Sequence, residues 1–126
     1  MRSRREARLL LVALTLALVA VGAQSTRGGN STDLGITPPR VGYALRLAHA
    51  AYGVPLAELR AVSFCESRWN PRADGYSGAG LFQFTTATWV RTPFRRFSPL
   101  DPVAASLAAG WLVTQDHGWR QWTCRP

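Results

Sequence analysis

Glu66 is the carboxylate whose surroundings in the sequence best suit acid–base chemistry. It stands at the end of an apolar segment with helical spacing, directly before a stretch rich in glycine and aromatic residues. A helix C-terminus carries partial negative charge, and Phe64, Leu81 and Phe82 would exclude water, so both effects disfavour an ionised carboxylate there. A carboxylic acid that keeps its proton near neutral pH can protonate a leaving oxygen, which is what cleavage of a glycosidic bond requires.

Other interpretations of these residues have to be weighed. A glutamate at a helix end is commonly a surface residue that pairs with an arginine, and Arg68 and Arg72 are close in the sequence. The chain has two cysteines and two histidines, without a Cys-X-X-Cys motif or a ligand-like spacing between them. The sequence therefore predicts no metal site and no cofactor.

Two motifs around Glu66 favour the catalytic interpretation. Residues 66–73 (ESRWNPRA) match the pattern E-S-x-x-N-P-x-A, and residues 77–84 (SGAGLFQF) match S-x-x-G-L-[MF]-Q, with the usual spacing between them. In these motifs the chain resembles the lysozyme-like superfamily, in the branch of soluble lytic transglycosylases, goose-type lysozymes and resuscitation-promoting factors. The resemblance implies a mainly α (α+β, lysozyme-like) fold with a glycan groove beside a short central loop or hairpin.

The resemblance also implies roles for individual residues. Glu66 would be the catalytic acid and base, and Ser67 would hold backbone or carboxylate geometry at the helix end. Gly78 and Gly80 would let the backbone approach a sugar ring, and Gln83 would bind an N-acetyl or hydroxyl group. The predicted substrate-binding residues are Ser67, Asp74, Tyr76, Ser77, Gly80, Phe82 and Gln83. Trp89 and Trp111 are further candidates for stacking on sugars, although their helical spacing favours core packing.

The implied partner is the glycan strand of peptidoglycan, cleaved at the β-1,4 bond between MurNAc and GlcNAc. A hydrolase needs a second carboxylate, and only Asp74, Asp101 and Asp116 follow Glu66. This scarcity favours a lytic transglycosylase in which Glu66 acts alone and leaves a 1,6-anhydromuramoyl end. Residues 107–111 (LAAGW) lack the Ala-Tyr-Asn triplet of many such enzymes, which keeps a muramidase-type hydrolase open. A non-catalytic glycan-binding module and a cationic membrane-active protein are the alternatives from other classes.

The elements that must position these residues are predicted to be four helices and one hairpin. The first helix runs from Val41 and stops at Gly53, and the second runs from Pro55 at its first position to about Ser67, with 70–71 ending it. The Asp74-Gly75 pair predicts the hairpin turn. Thr85 would cap a short third helix.

The last helix has the clearest end signals. Asp101 would cap it, Pro102 would occupy its first position, and Gly118 would stop it. Its predicted stripe consists of Val103, Leu107, Gly110, Trp111 and Thr114, and its alanines are expected to allow close packing.

The N-terminus has the layout of an export signal. Arginines precede an apolar run over residues 9–21, which predicts a signal peptide over 1–23, a flexible linker over 24–40 and one domain over 41–126. The run is too short for a stable membrane anchor. Export to an oxidising compartment predicts a disulfide between Cys65 and Cys124.

The net charge of +8 suits attraction to a polyanion, and all fifteen basic residues are arginines. Part of that charge belongs to the predicted signal peptide. We expect a secreted, periplasmic or cell-wall-associated monomer that binds no nucleic acid.

Overall fold

The structure, a computed structural model, describes residues 35–115 and 118–126. Its elements are helix α1 (Pro39–Tyr52), helix α2 (Leu56–Ser67), strand β1 (Asp74–Gly75), strand β2 (Gly78–Ala79), helix α3 (Thr86–Trp89), helix α4 (Pro102–Thr114) and a 3-10 helix (Gly118–Gln121). The predicted mainly α fold with a small central hairpin is confirmed. The predicted signal peptide and most of the predicted linker lie outside the described residues. Within the described ranges, no helix has the length and apolar character needed to cross a membrane.

Helices α1 and α4 pack along each other and form the centre of the core. Their facing surfaces consist largely of small side chains, which allows the two backbones to approach closely. The buried residues of α1 are Val41, Ala44, Leu45 and Ala48. Those of α4 are Ala104, Ala105, Ser106, Ala108, Ala109, Gly110 and Leu112. At Gly110, a Cβ would lie 2.7 Å from the Tyr52 ring, so only glycine fits between the helices there.

The predicted stripe of α4 is wrong except at Gly110. Val103, Leu107 and Trp111 are only half-buried, and Thr114 is exposed. The predicted close packing of the alanines is confirmed, since Ala104, Ala105, Ala108 and Ala109 are buried. The close approach of α1 leaves little room for larger side chains at this interface.

Two helices begin at the side-chain caps that the sequence predicts. The Thr85 hydroxyl accepts a hydrogen bond from the Thr88 N–H at 3.2 Å, and α3 follows it. The Asp101 carboxylate accepts one from the Val103 N–H at 3.0 Å, and α4 follows with Pro102 at its start. The sequence predicts these caps because each bond joins residues two or three positions apart in the chain.

Three other helix ends differ in detail from prediction. Helix α1 begins at Pro39, before Val41, and stops at Gly53 as expected, with φ at 70°. Pro55 is the N-cap of α2 and not its first residue. Helix α4 ends at Thr114, so the prediction that Gly118 stops it is wrong; Gly118 begins the 3-10 helix.

The hairpin forms, although its turn lies further along the chain than predicted. Asp74 pairs with Ala79 and Gly75 with Gly78, so the turn consists of residues 76–77, and Asp74-Gly75 forms the first strand. The second strand continues into a tight return, in which Ala79 and Phe84 exchange backbone hydrogen bonds of 3.0 Å. This return sets the register, since a Cβ at Gly78 would lie 2.2 Å from the Gln83 carbonyl oxygen.

The C-terminal segment, residues 118–126, folds back onto α2. The predicted disulfide joins Cys65 of α2 to Cys124, with 5.9 Å between the two Cα atoms. Trp122 is buried, and its indole N–H donates to the Phe82 carbonyl oxygen at 2.9 Å. The chain terminus is thereby part of the core.

Gly80 provides a test of how tightly the return is packed. Gly53 and Gly80 both have left-handed backbones, but a Cβ at Gly53 meets no atom within 4 Å, whereas one at Gly80 would lie 2.0 Å from the Pro99 oxygen. We expect Gly53→Ala to lower the free energy of unfolding by about 1 kcal/mol, from backbone strain alone. Gly80→Ala should lower it by roughly 3 kcal/mol or more, because strain and overlap add. Urea denaturation measures both, and equal losses would contradict the packing argument.

Candidate active site

Glu66 lies near the C-terminal end of α2 and is half-buried. Its Oε1 accepts a hydrogen bond from the backbone N–H of Cys124 at 3.1 Å. Its other oxygen, Oε2, has no hydrogen-bond donor among the described residues, and no ion pair to Glu66 is formed within them. One oxygen of the carboxyl group is therefore held, and the other is available to a ligand.

The chain reverses direction immediately after Glu66 and Ser67. Helix α2 ends at Ser67, as predicted. Arg68 and Trp69 both adopt left-handed backbones there, with φ at 54° and 60°, so these two residues end the helix and the Asn-Pro pair follows them. A left-handed backbone costs about 1–2 kcal/mol for a residue with a Cβ, and contacts must offset this cost.

The contacts that offset this strain involve the Trp69 side chain. Trp69 is buried, its indole N–H donates to the Arg60 carbonyl oxygen at 3.2 Å, and its ring meets Phe64 edge-on at 4.8 Å. The Arg68 guanidinium lies over the Phe64 ring at 4.8 Å and forms no ion pair with Glu66. The surface-pair interpretation of Glu66 thus finds no support in the position of Arg68.

Ser67 stabilises the last turn of α2. Its hydroxyl donates to the Ser63 carbonyl oxygen at 2.9 Å, and the Ser63 hydroxyl donates to the Leu59 oxygen at 2.7 Å. Ser67 was expected to hold either the backbone or the carboxylate at the helix end. In the structure its hydroxyl contacts the backbone.

Gln83 ties the base of the hairpin together. Its side-chain amide donates to the Ala73 oxygen at 3.2 Å and to the Gly80 oxygen at 2.9 Å. Its backbone is left-handed, with φ at 48°. Because both N–H bonds of the amide are directed at the hairpin base, only the side-chain carbonyl oxygen is left for a ligand.

Three predicted substrate-binding residues lie on the exposed hairpin. Asp74 is in β1, and Tyr76 and Ser77 form the turn. The Tyr76 side chain is fully exposed, at 110% of its reference area. An accessible aromatic face of this kind can stack on a sugar ring.

Gly80 and Phe82 lie in the interior instead. Gly80 is buried against Pro99, and Phe82 is 0% exposed, stacked on Trp119 at 6.4 Å with an angle of 19° between the rings. In this structure both residues contribute to packing and offer no surface to a glycan. Trp89 is likewise buried, with its indole N–H on the Phe97 oxygen at 3.1 Å, which is the core packing expected for it.

The sequence interpretation missed the contacts that the C-terminal segment makes with α2. Trp119 donates its indole N–H to Glu58 Oε2 at 2.8 Å, and the Cys124 amide bonds Glu66. The cysteine pair was the available signal, because a disulfide at Cys65 must bring residue 124 beside residue 66. No group of three or more metal-ligating side chains is found in the part of the chain that the structure describes.

Comparison with known proteins identifies the domain. The family model described as the transglycosylase SLT domain matches residues 44–115, more than half of the chain. Proteins of that family are generally lytic transglycosylases acting on peptidoglycan, which implies a location at the cell wall. The match includes Glu66 and the hairpin and ends before the C-terminal segment. Comparison with curated proteins and with solved structures gives no match.

Gln83→Glu tests the hairpin base with little change of shape. It replaces an N–H₂ donor by an oxygen facing two carbonyl oxygens, so we expect the free energy of unfolding to fall by about 2–3 kcal/mol. Gln115→Glu is the matched control, because Gln115 is exposed and its side chain makes one hydrogen bond within the described residues, to the Trp111 oxygen. It should change stability by less than about 0.5 kcal/mol. Similar losses in thermal unfolding of the two variants would contradict the role of Gln83.

Proposed function

Because the chain belongs to the transglycosylase SLT domain family, we propose that it is a peptidoglycan lytic transglycosylase with Glu66 as its acid and base. The bond cleaved is the β-1,4 linkage between MurNAc and GlcNAc, and the product carries a 1,6-anhydromuramoyl end. The observation that carries the proposal is the position of Glu66, half-buried at the helix end with Oε1 held and Oε2 available. We also propose that the chain is exported, is released from its signal peptide and acts on glycan strands as a monomer.

In the first step the proton on Glu66 Oε2 passes to the glycosidic oxygen as the bond from that oxygen to the MurNAc anomeric carbon breaks. GlcNAc leaves as the alcohol, the anomeric carbon becomes electron-poor, and Glu66 becomes a carboxylate. In the second step the carboxylate takes the proton of the MurNAc 6-hydroxyl while that oxygen attacks the anomeric carbon. Glu66 ends protonated as it began, and no water is consumed.

The supply of other carboxylates supports this one-acid route. Among the described residues, Glu58 accepts the Trp119 indole N–H and Asp101 caps α4. Asp74 is exposed in β1 and makes no side-chain hydrogen bond or ion pair with the described residues. Asp116 lies outside them.

The second candidate function is favoured by the Asp74 carboxylate, which makes no hydrogen bond or ion pair with the residues that the structure describes. A muramidase-type hydrolase on the same bond would use Asp74 to activate a water or to stabilise the electron-poor carbon. The two functions differ in the nucleophile that attacks the anomeric carbon. In the hydrolase it is water, and in the transglycosylase it is the sugar's own 6-hydroxyl group.

Glu66→Gln tests the catalytic assignment. The amide cannot act as an acid or take up a proton, so we expect kcat on purified peptidoglycan to fall by roughly a thousandfold or more. Glu58→Gln is the matched control, since it makes the same change on the same helix and the new amide oxygen can still accept the Trp119 indole N–H. Its kcat should stay within about threefold of the native value. A Glu66→Gln protein that clears peptidoglycan at the native rate would refute the proposal.

Product analysis separates the two candidate reactions. We expect mass spectrometry of the released fragments to find anhydromuramoyl ends, one water lighter than reducing ends. Asp74→Asn should then lower kcat by less than about tenfold, because the carboxylate has no proton-transfer step to perform. Reducing ends in native digests, together with loss of activity in Asp74→Asn comparable to that of Glu66→Gln, would establish the hydrolase instead.

A further inference from the structure

We propose that the C-terminal segment is a positioning device for the catalytic carboxyl group, and that the Cys124 backbone amide decides which oxygen of Glu66 carries the proton. The inference rests on the proposed function of Glu66. It concerns a part of the chain beyond the matched SLT domain, which ends at residue 115.

Three links join the C-terminal segment to α2. The disulfide connects Cys124 to Cys65, the neighbour of Glu66 in the helix. The Cys124 N–H donates to Glu66 Oε1 at 3.1 Å. Near the start of the segment, Trp119 donates to Glu58 Oε2 at 2.8 Å. The segment therefore lies along α2 and meets it at two carboxylates and one covalent bond.

The aromatic core fixes the position of the segment between these links. Trp122 is 6% exposed and donates its indole N–H to the Phe82 oxygen at 2.9 Å. Trp119 and Trp122 meet edge to face at 5.1 Å, and both contact the Phe82 ring. Because residue 124 is anchored by Trp122 on one side and by its own disulfide, its amide has a defined place beside Glu66.

The chemical consequence follows from what a backbone amide can do. An N–H only donates, and the carbonyl oxygen of a neutral carboxyl group is a better acceptor than its hydroxyl oxygen, so the bond to Oε1 favours the acid proton on Oε2. After protonating the leaving oxygen, Glu66 is negative, and the bond from Cys124 becomes charge-assisted and stronger. The amide thus stabilises Glu66 more after proton transfer than before it, which is the condition for an effect on kcat.

Proline at position 124 removes the donor. Cys65→Ala with Cys124→Ala lacks the disulfide but keeps the amide N–H, whereas Cys65→Ala with Cys124→Pro lacks both. We expect kcat on soluble peptidoglycan fragments to be about tenfold or more lower in the proline variant than in the alanine variant, with KM within roughly twofold.

Thr123→Pro in the alanine background controls for the proline ring, because Thr123 is exposed and its N–H makes no hydrogen bond with described residues. Near-UV circular dichroism of the tryptophans reports folding.

A second pair of variants keeps the disulfide and applies if the proline protein does not fold. Trp122→Phe and Trp89→Phe each remove one indole N–H bond to a backbone oxygen, from side chains that are both 6% exposed. We expect similar losses of thermal stability, but a kcat lower by roughly threefold or more in Trp122→Phe only, because of these two tryptophans only Trp122 anchors the Cys124 amide.

The outcomes separate this inference from the proposed function. Equal kcat in the folded proline and alanine variants, or equal kcat in the two phenylalanine variants, overturns the positioning role while leaving Glu66 as the acid. Glu66→Gln is measured in the same assay, and if it retains native turnover, the proposed function itself fails.

Discussion

The end of helix α2 is held from two sides, and the geometry of the candidate site depends on that constraint. On one side the chain turns back through left-handed backbones at Arg68 and Trp69. On the other, the disulfide to Cys124 closes a loop with a sequence separation of 59 residues, which contributes about 4 kcal/mol through loss of unfolded-chain entropy. The strain of two left-handed residues is about 2–4 kcal/mol before any compensation. The crosslink and the burial of Trp69 together are large enough to offset this strain in the folded protein.

The two halves of the core differ in character, and this difference explains the role of the C-terminal segment. Helices α1 and α4 meet through alanines, which bury little area per residue. A cluster of large rings lies under the hairpin and the segment, and consists of Phe82, Phe84, Trp89, Trp119 and Trp122. Aromatic side chains bury about 150–250 Å² each, so this cluster carries much of the hydrophobic stabilisation of a small domain. Phe82 is placed at its centre, which is why a residue of the recognised motif is hidden from solvent.

Features that depend on neighbouring residues could be predicted from the sequence, and features that depend on distant ones could not. The stop at Gly53 and the caps at Thr85 and Asp101 need only local geometry. The hairpin turn was misplaced because its register depends on the contact of Gly78 with the Gln83 backbone, which no local rule contains. The sequence motif identifies Glu66 as the candidate acid. It does not reveal the backbone N–H of Cys124, which donates to the Glu66 carboxyl group. Every residue except proline has the same amide N–H, so the cysteine pair could place residue 124 beside Glu66 but could not show that its amide donates to the carboxyl group.

The spacing of the motif itself has a physical explanation in the backbone bonds that follow Glu66. The Asn70 N–H donates to the Ser67 oxygen at 3.0 Å, and the Ala73 N–H donates to the Asn70 oxygen at 3.1 Å. Ala73 then accepts from the Gly80 N–H at 2.7 Å and from the Gln83 side chain at 3.2 Å. These bonds connect the helix end to the hairpin base without interruption. An inserted or deleted residue would break a link, and the exposed hairpin would no longer have a fixed position relative to the carboxyl group. A site that must hold a sugar chain and protonate one of its oxygens needs that fixed relation, because small displacements between binding and acid groups are costly to the rate.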